Sequence, residues 1–332
     1  MSEVKTRVLV TGATGFIGSH LCEALLARGH EVRAFAHYNS QGYMGNLEYI
    51  DQSLVSGLDV YLGDISDPES VQRAVEGCSV VFHLAALVAI PYSYLHPREF
   101  FVTNTLGTFN VCQAALQAEC ERIVHTSTSE VYGTARTVPI TEDHPLHAQS
   151  PYAASKIGAD KVVESFHLSY GLPAVTVRPF NTYGPRQSPR AVIPAIIGQL
   201  LESDTVRLGN LEPKRDLTFV SDTVDGFIKA AWSDKALGEV FNLGTGKAYS
   251  IGDLARILVD MVRPGAQIVS DPARVRPARS EVGVLVASAE KARSVLGWKP
   301  EVSLEEGLAK TVEYMREATK RGYASRPTQY AI

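Results

Sequence analysis

Glycines at positions 12, 15 and 18, directly after three aliphatic residues, constrain this chain more than any other feature. Val8-Leu9-Val10 reads as a buried strand, followed by Thr11-Gly12-Ala13-Thr14-Gly15-Phe16-Ile17-Gly18 and a helical pattern through Arg28. Strand, glycine turn and helix in that order let the backbone turn tightly and approach a pyrophosphate, which then lies on the helix N-terminus. The spacing is Gly-x-x-Gly-x-x-Gly, not the commoner Gly-x-Gly-x-x-Gly, and its place between strand and helix gives it weight. Further apolar runs of strand length follow at Glu31-Val32-Arg33-Ala34-Phe35, Val60-Tyr61-Leu62, Val80-Val81-Phe82-His83, Arg122-Ile123-Val124-His125 and Ala174-Val175-Thr176-Val177. Helical patterns separate them. That rhythm predicts an α/β protein with a doubly wound parallel sheet and right-handed crossovers.

Past Asn181 the rhythm changes. Thr182-Tyr183-Gly184-Pro185-Arg186-Gln187 is a proline/glycine loop, followed by a helix from about Ala191 and a short strand at Val206-Arg207-Leu208. Glu239-Val240-Phe241-Asn242-Leu243 reads as one further sheet strand, after which the chain leaves again. The expected division is a dinucleotide-binding domain of residues 1–181 plus about 225–247. A smaller, discontinuous C-terminal domain would hold about 182–224 plus 248–332.

A second constellation carries chemistry. Thr126-Ser127-Thr128-Ser129-Glu130 follows a strand, and open α/β sheets bind ligands where strands end. Ser150-Pro151-Tyr152-Ala153-Ala154-Ser155-Lys156 opens a helix, with Ser150 as N-cap, Pro151 at the first helical position and Gly171 as the stop. Tyr152 and Lys156 are four residues apart and share a helix face. A phenol with a pKa of about 10 is a poor base near neutral pH. A nearby ammonium favours the phenolate, so the expectation is a lowered Tyr152 pKa and a usable proton acceptor. An isolated Tyr-x-x-x-Lys also fits an ordinary surface helix; Thr128 and Glu130 at a preceding strand end make it a site.

The strand after the glycine turn ends in Ala36, where a ribose-binding acid is usual for NAD, with His37 and Arg33 near any 2′-phosphate. The cofactor expectation is NAD or NADP, with a lean to NADP. Asp64, at another strand end, is read either as a solvated turn carboxylate or as an adenine contact. Leu84-Ala85-Ala86 offers small residues against which a flat ring lies close. Arg215, Arg276 and, less strongly, Arg279 are read as a clamp on a diphosphate, against the plainer reading of solvated charges.

The chain of 332 residues has a formal net charge of -4 and no basic run, which gives no footing for nucleic-acid binding. No apolar stretch is long enough to span a bilayer. Cys22, Cys78, Cys112 and Cys120 lack metal spacing and read as buried thiols, which fits a cytoplasmic protein. His144-x-x-His147 beside Glu142 and Asp143 lies in what reads as a polar loop, and no metal is expected.

With these residues in place the chain resembles the extended short-chain dehydrogenases/reductases (a Rossmann fold) that act on nucleotide sugars. The matching stretches are residues 11–18, His83-Leu84-Ala85-Ala86, Thr128 with Tyr152 and Lys156, Arg178-Pro179-Phe180-Asn181 and Arg215-Asp216. Ser127-Thr128-Ser129-Glu130-Val131-Tyr132-Gly133 is similar to the 4,6-dehydratases, with Glu130 at the position of their C5 base. Ala89-Ile90-Pro91-Tyr92-Ser93-Tyr94, Leu208-Gly209-Asn210-Leu211 and Arg276-Pro277-x-x-Ser280-Glu281-Val282 look closest to the GDP-N-acetylglucosamine 4,6-dehydratases of legionaminic-acid-type pathways.

The resemblance implies catalytic roles for Thr128, Ser129, Glu130, Tyr152 and Lys156, in a redox-neutral lyase that ends with its tightly held nicotinamide cofactor unchanged. It implies cofactor contacts from Gly12, Thr14, Gly15, Phe16, Ile17 and Gly18, from His37, Asp64 and Ile65, from Leu84, Ala85 and Ala86, and from Tyr152, Lys156 and Pro179. Substrate contacts are implied for Asn181, Arg186, Val192, Leu208, Arg215 and Arg276. It further implies a homodimer built on the helices containing residues 104–117 and 152–167. Alternatives on the same scaffold are a UDP-glucuronate decarboxylase, a 4-epimerase, and a non-catalytic dinucleotide-sensing protein.

Overall fold

The computed structural model describes residues 5–320, apart from 276 and 278. Alternation along the first strand sets the layering. In β1 (Arg7–Thr11), Val8 and Val10 join one apolar cluster and Leu9 the other, since successive side chains point to opposite faces. β2 (Glu31–His37), β3 (Leu58–Gly63), β4 (Val80–His83), β5 (Arg122–Thr126) and β6 (Ala174–Pro179) follow. The strand Val240–Leu243 returns to pair in parallel with β6, as its apolar pattern predicts.

All seven strands are parallel, in the order Val240–Leu243, β6, β5, β4, β1, β2, β3. This is the doubly wound arrangement, with the order reversing between β1 and β4. Register places Thr11 beside His83 and His83 beside His125, so these polar residues form a row where the strands end. One face of the sheet is covered by a cluster containing Val111, Ala115, Val163 and Phe166. The cluster on the opposite face runs on without a break into the helices Val192–Glu202, Ile251–Val262 and Leu304–Lys320.

Beyond the large sheet, three small ones form among residues 181–285. Asn181–Tyr183 pairs with Leu217–Phe219, Thr205–Leu208 with Gln267–Ser270, and Lys214–Arg215 lies between Tyr249–Ser250 and Val284–Leu285. Asp216 ties this region to the large sheet. Its carboxylate accepts from Thr245 N, Thr245 Oγ1, Gly246 N and Ala287 N at 2.6–3.1 Å. The four cysteines are buried free thiols. Among the described residues no helix is long and apolar enough to cross a membrane, and no three His, Cys, Asp or Glu are placed to hold a metal ion. His144, one candidate ligand, instead accepts the Arg136 N–H at Nε2.

Candidate active site

The glycine turn is held by contacts that leave no room for side chains. Gly12 has φ +69°, and a Cβ there would lie 2.8 Å from the backbone of Leu84 and Ala85; at Gly18 it would lie 2.2 Å from Gly12 O. Helix α1 (Phe16–Ala27) starts with no side-chain cap and no acid in its first turn. Its first N–H groups and positive end therefore meet the crevice with no side-chain cap among the described residues. That fits a pyrophosphate. Asn46 N donates to Thr14 O at 2.9 Å, so residues after β2 fold back over the turn.

Buried His83 joins this turn to the neighbouring loop. Thr108 spends its hydroxyl proton on Asn104 O, so it accepts from His83 Nε2 at 2.9 Å. Nδ1 is then the acceptor for Thr11 Oγ1 at 2.8 Å, and Thr11 in turn accepts the N–H groups of Leu84 and Ala85. Burial keeps this imidazole neutral, its pKa well below the ordinary value.

Thr128 ends the extended run after β5 and caps the turn Ser129–Tyr132, its Oγ1 accepting from Glu130 N at 3.2 Å. The helix Pro151–Tyr170 begins as expected, with Ser150 Oγ accepting from Ala153 N and Gly171 closing it at φ +71°. Thr128 hydrogen-bonds the Tyr152 hydroxyl, and Glu130 is close enough to act on it electrostatically. Thr128, Glu130, Tyr152 and Lys156 do come together. Ser129 is buried beside them.

One electrostatic expectation is reversed. Burial pushes the Tyr152 hydroxyl above the usual phenol value, and Glu130 adds to the rise against the Thr128 hydrogen bond. The Lys156 ammonium is directed elsewhere. Nζ donates to Thr126 O at 2.6 Å, and burial lowers its pKa to about 8, with Asp160 opposing the fall. Sharing a helix face places the two groups side by side without pairing them.

Residues 101–106 form a π-helical turn, FVTNTL, which rotates Asn104 into the site. Asn104 Nδ2 donates to Leu87 O and Ser155 Oγ, and its Oδ1 accepts from Leu87 N. Thr105 Oγ1 donates to Ser155 O. Tyr152 packs edge-on against Phe100, at 6.2 Å between ring centroids, in a cluster with Ile90, Leu87, Tyr92 and Tyr94. Asn104 carried no signal in the sequence, because a π-turn has no distinctive residue pattern.

The remaining candidates divide. Leu84, Ala85 and Ala86 line the loop over Gly12, Pro179 ends β6, and Ile65 is buried with its carbonyl bonded to Asn110. His37 and Asp64 face each other at 3.9 Å, and Asp64 also takes the N–H and hydroxyl of Ser66. Arg33 is turned away from this pair, held by Asp59 and the carbonyls of Arg73, Ala74 and Glu76. Asn181 has a buried Oδ1 that accepts no hydrogen bond among the described residues.

Arg215 donates to Val282 O at 2.8 Å and faces Glu281 at 3.4 Å, so its fork grips the segment after residue 280. Arg186, at φ +66°, reaches Glu23 and Tyr49 O, away from Tyr152. Leu208 is a core residue and Val192 begins a helix packed on the same core. Arg276 lies outside the described residues.

The comparisons agree with this geometry. Residues 9–311 match the family described as GDP-mannose 4,6 dehydratase. The chain is 36% identical to a UDP-glucose 4-epimerase of Mycolicibacterium smegmatis, covering 95% of this chain and 100% of that one. It is 35% identical to a UDP-N-acetyl-alpha-D-glucosaminuronate decarboxylase of Bacillus cytotoxicus, covering 95% and 99%. DesIV, a dTDP-glucose 4,6-dehydratase from Streptomyces venezuelae solved with NAD and TYD bound, superposes with a TM-score of 0.85 at 33% identity, over 96% of this chain and 98% of DesIV. With a parallel seven-stranded sheet, a glycine turn under α1 and a Thr/Tyr/Lys cluster at the strand ends, the chain belongs to the GDP-mannose 4,6-dehydratase family of extended short-chain dehydrogenases/reductases.

Proposed function

We propose that this protein is a nucleotide-sugar 4,6-dehydratase of the GDP- or UDP-N-acetylglucosamine type, forming a 4-keto-6-deoxy sugar. The observation that carries the reading is a carboxylate, Glu130, on the same short turn as Thr128 and within electrostatic reach of Tyr152. Epimerisation at C4 has no use for that carboxylate, whereas elimination of water across C5 and C6 needs a base there. When bound, an oxidised nicotinamide supplies a positive charge and a hydride acceptor that later gives the hydride back.

The chain's own groups do the proton work. Tyr152, with Thr128 donating to its oxygen, takes the proton of the C4 hydroxyl. Oxidation at C4 acidifies C5–H, and Glu130 removes that proton and hands it to the departing C6 hydroxyl. Ser129 is too weak an acid to do so. Lys156 holds a positive charge at the strand end, its Nζ anchored on Thr126 O. The nucleotide diphosphate is assigned to Arg215, Arg276 and Asn181 in a domain of residues about 182–224 plus 248–332. Dinucleotide contacts are assigned to residues 12–18, 84–86 and Pro179 in the remainder.

We read the cofactor as NAD, against the lean to NADP drawn from Ala36. Among the described residues no arginine or lysine lies between Arg33 and Arg73, and Arg33 is turned to Asp59. Phe101, Leu106 and Phe109 with Leu168 and Tyr170 leave apolar surface exposed on the two helices expected at a homodimer interface, which supports that assembly.

The test follows an isotope. With N-acetylglucosamine nucleotide deuterated at C4, the product loses one water and carries deuterium at C6. Deuterium absent from C6 overturns the assignment. Loss of carbon dioxide from UDP-glucuronate replaces it with a decarboxylase.

A further inference from the structure

Asp160 lies one helical turn beyond Lys156, in the middle of Pro151–Tyr170, and is almost fully buried. Its two oxygens are fully used. Oδ1 accepts from His125 Nε2 at 3.1 Å, and Oδ2 from Ser127 Oγ at 2.8 Å and from Arg178 at 2.9 and 3.2 Å. His125 and Ser127 flank Thr126, whose carbonyl receives the Lys156 ammonium. Arg178 extends the network. Its Nη1 donates to Tyr132 Oη at 2.9 Å, its guanidinium lies 5.0 Å from the Tyr132 ring centroid, and Tyr132 donates to Asn242 Oδ1 at 2.7 Å.

Tyr132 closes the turn that carries Glu130. The segment bearing Thr128 and Glu130 is therefore gripped at both ends by one buried ion pair. We propose that the Asp160–Arg178 pair is the positioning unit of this site, fixing residues 127–132 against the Tyr152 helix and supplying the counter-charge for Lys156. Only the effect on turnover rests on the dehydratase reading; the structural and charge effects do not.

The charges facing Lys156 bear this out. On its own helix it meets Asp160, and on β4 and β5 the imidazoles of His83 and His125, the latter also within reach of Arg178 on β6. Both imidazoles are held neutral by burial, with His125 near pKa 4. Asp160 is thus the anion that opposes desolvation of the ammonium.

The test uses the full chain as purified, labelled with ¹³C at lysine Cε, with Lys156→Arg to assign the signal. In Asp160→Asn the Lys156 titration midpoint falls by roughly one pH unit, while Asp160→Glu keeps it. On the active protein, the alkaline limb of the turnover profile moves with it. A folded Asp160→Asn with an unmoved Lys156 midpoint overturns the proposal. If Asp160→Asn does not fold, Ser127→Ala leaves the ion pair whole and removes one hold on the segment. Amide exchange at residues 128–132 then speeds up about tenfold or more, and unchanged exchange there overturns the proposal. Neither readout depends on the sugar, so failure of the deuterium experiment is distinguishable from failure here.

Discussion

The Lys156 ammonium donates to the carbonyl of Thr126 at 2.6 Å, two residues before the threonine that hydrogen-bonds Tyr152. Lysine and tyrosine thus meet through the strand end and not directly. Tyr152→Phe tests the proton-accepting role cleanly, since the ring keeps its edge-on contact with Phe100. Stability should stay within about 1 kcal/mol of the parent in denaturant titration. The rate at which a nucleotide sugar reduces the bound cofactor, followed by nicotinamide absorbance, should fall about 100-fold to 10,000-fold. A rate within threefold of the parent would reassign the base.

Glu130→Gln separates the two halves of the proposed reaction. The amide keeps the size of the side chain and the backbone cap to Thr128 Oγ1. It cannot take the C5 proton. Oxidation at C4 should proceed and then stall, so reduced nicotinamide accumulates toward one equivalent per site while dehydrated product is absent by mass. Normal turnover would show that another group is the base.

Much of this site was legible because its residues obey local rules. Gly12 needs positive φ, Ser150 and Pro151 open a helix, and apolar runs such as Val80-Val81-Phe82 require a sheet buried on both faces. What was not legible depends on distant partners. Nothing local marks Asp160 in mid-helix; its role appears only when His125, Ser127 and Arg178 are folded against it. Arg186, which the resemblance makes a substrate contact, has its backbone in the left-handed region and its guanidinium on Glu23, a placement no local pattern announces. The raised pKa of Tyr152 was missed for the same reason. Sequence spacing reports a neighbour's charge but not the depth of burial.

The turn after β2 makes a prediction about the cofactor. Arg33 is spent on Asp59 and three carbonyls, and exposed His37 faces the carboxylate of Asp64. A 2′-phosphate there would meet that carboxylate, with the Arg33 guanidinium already committed to Asp59. Denaturing the purified protein should release NAD, identified by mass. Ala36→Arg, placing a fork at the end of β2, should raise the share of NADP bound after exchange. Recovery of NADP from the parent protein would overturn the reading.

Buried neutral imidazoles predict how stability depends on pH. His125 is fully buried, and burial first, then Lys156, lowers its pKa to about 4, below the ordinary value for an exposed histidine. Between those values the unfolded chain binds a proton that the folded one does not, so stability falls as pH drops from about 6.5 through 4. One pH unit is worth about 1.4 kcal/mol, so His125 alone contributes on the order of 3 kcal/mol to that loss. His83 shifts in the same direction. Urea titrations across this window should show the decline. His125→Gln, which keeps a donor for Asp160, should flatten it. A parent protein equally stable at pH 6.5 and 4.5 would contradict the burial.

Two glycines of similar φ separate a conformational need from a steric one. Gly171, at φ +71°, closes the Tyr152 helix with nothing within 4 Å of where a Cβ would sit. Gly171→Ala should therefore cost only about 1 kcal/mol and leave bound nucleotide unchanged. Gly12, at φ +69°, carries the same backbone cost, but its Cβ would also lie 2.8 Å from Leu84 C and Ala85 N. The Leu84 and Ala85 amides are bonded to Thr11 Oγ1, which is bonded to His83, so the loop cannot retreat without breaking buried hydrogen bonds. Gly12→Ala should add about 1–3 kcal/mol of overpacking to the backbone cost. It should also lower the nucleotide recovered per chain, since the amides of α1 and the glycine turn would no longer share one anion. Equal nucleotide content in the two variants would mean that the close approach of Gly12 to Ala85 does not shape the crevice.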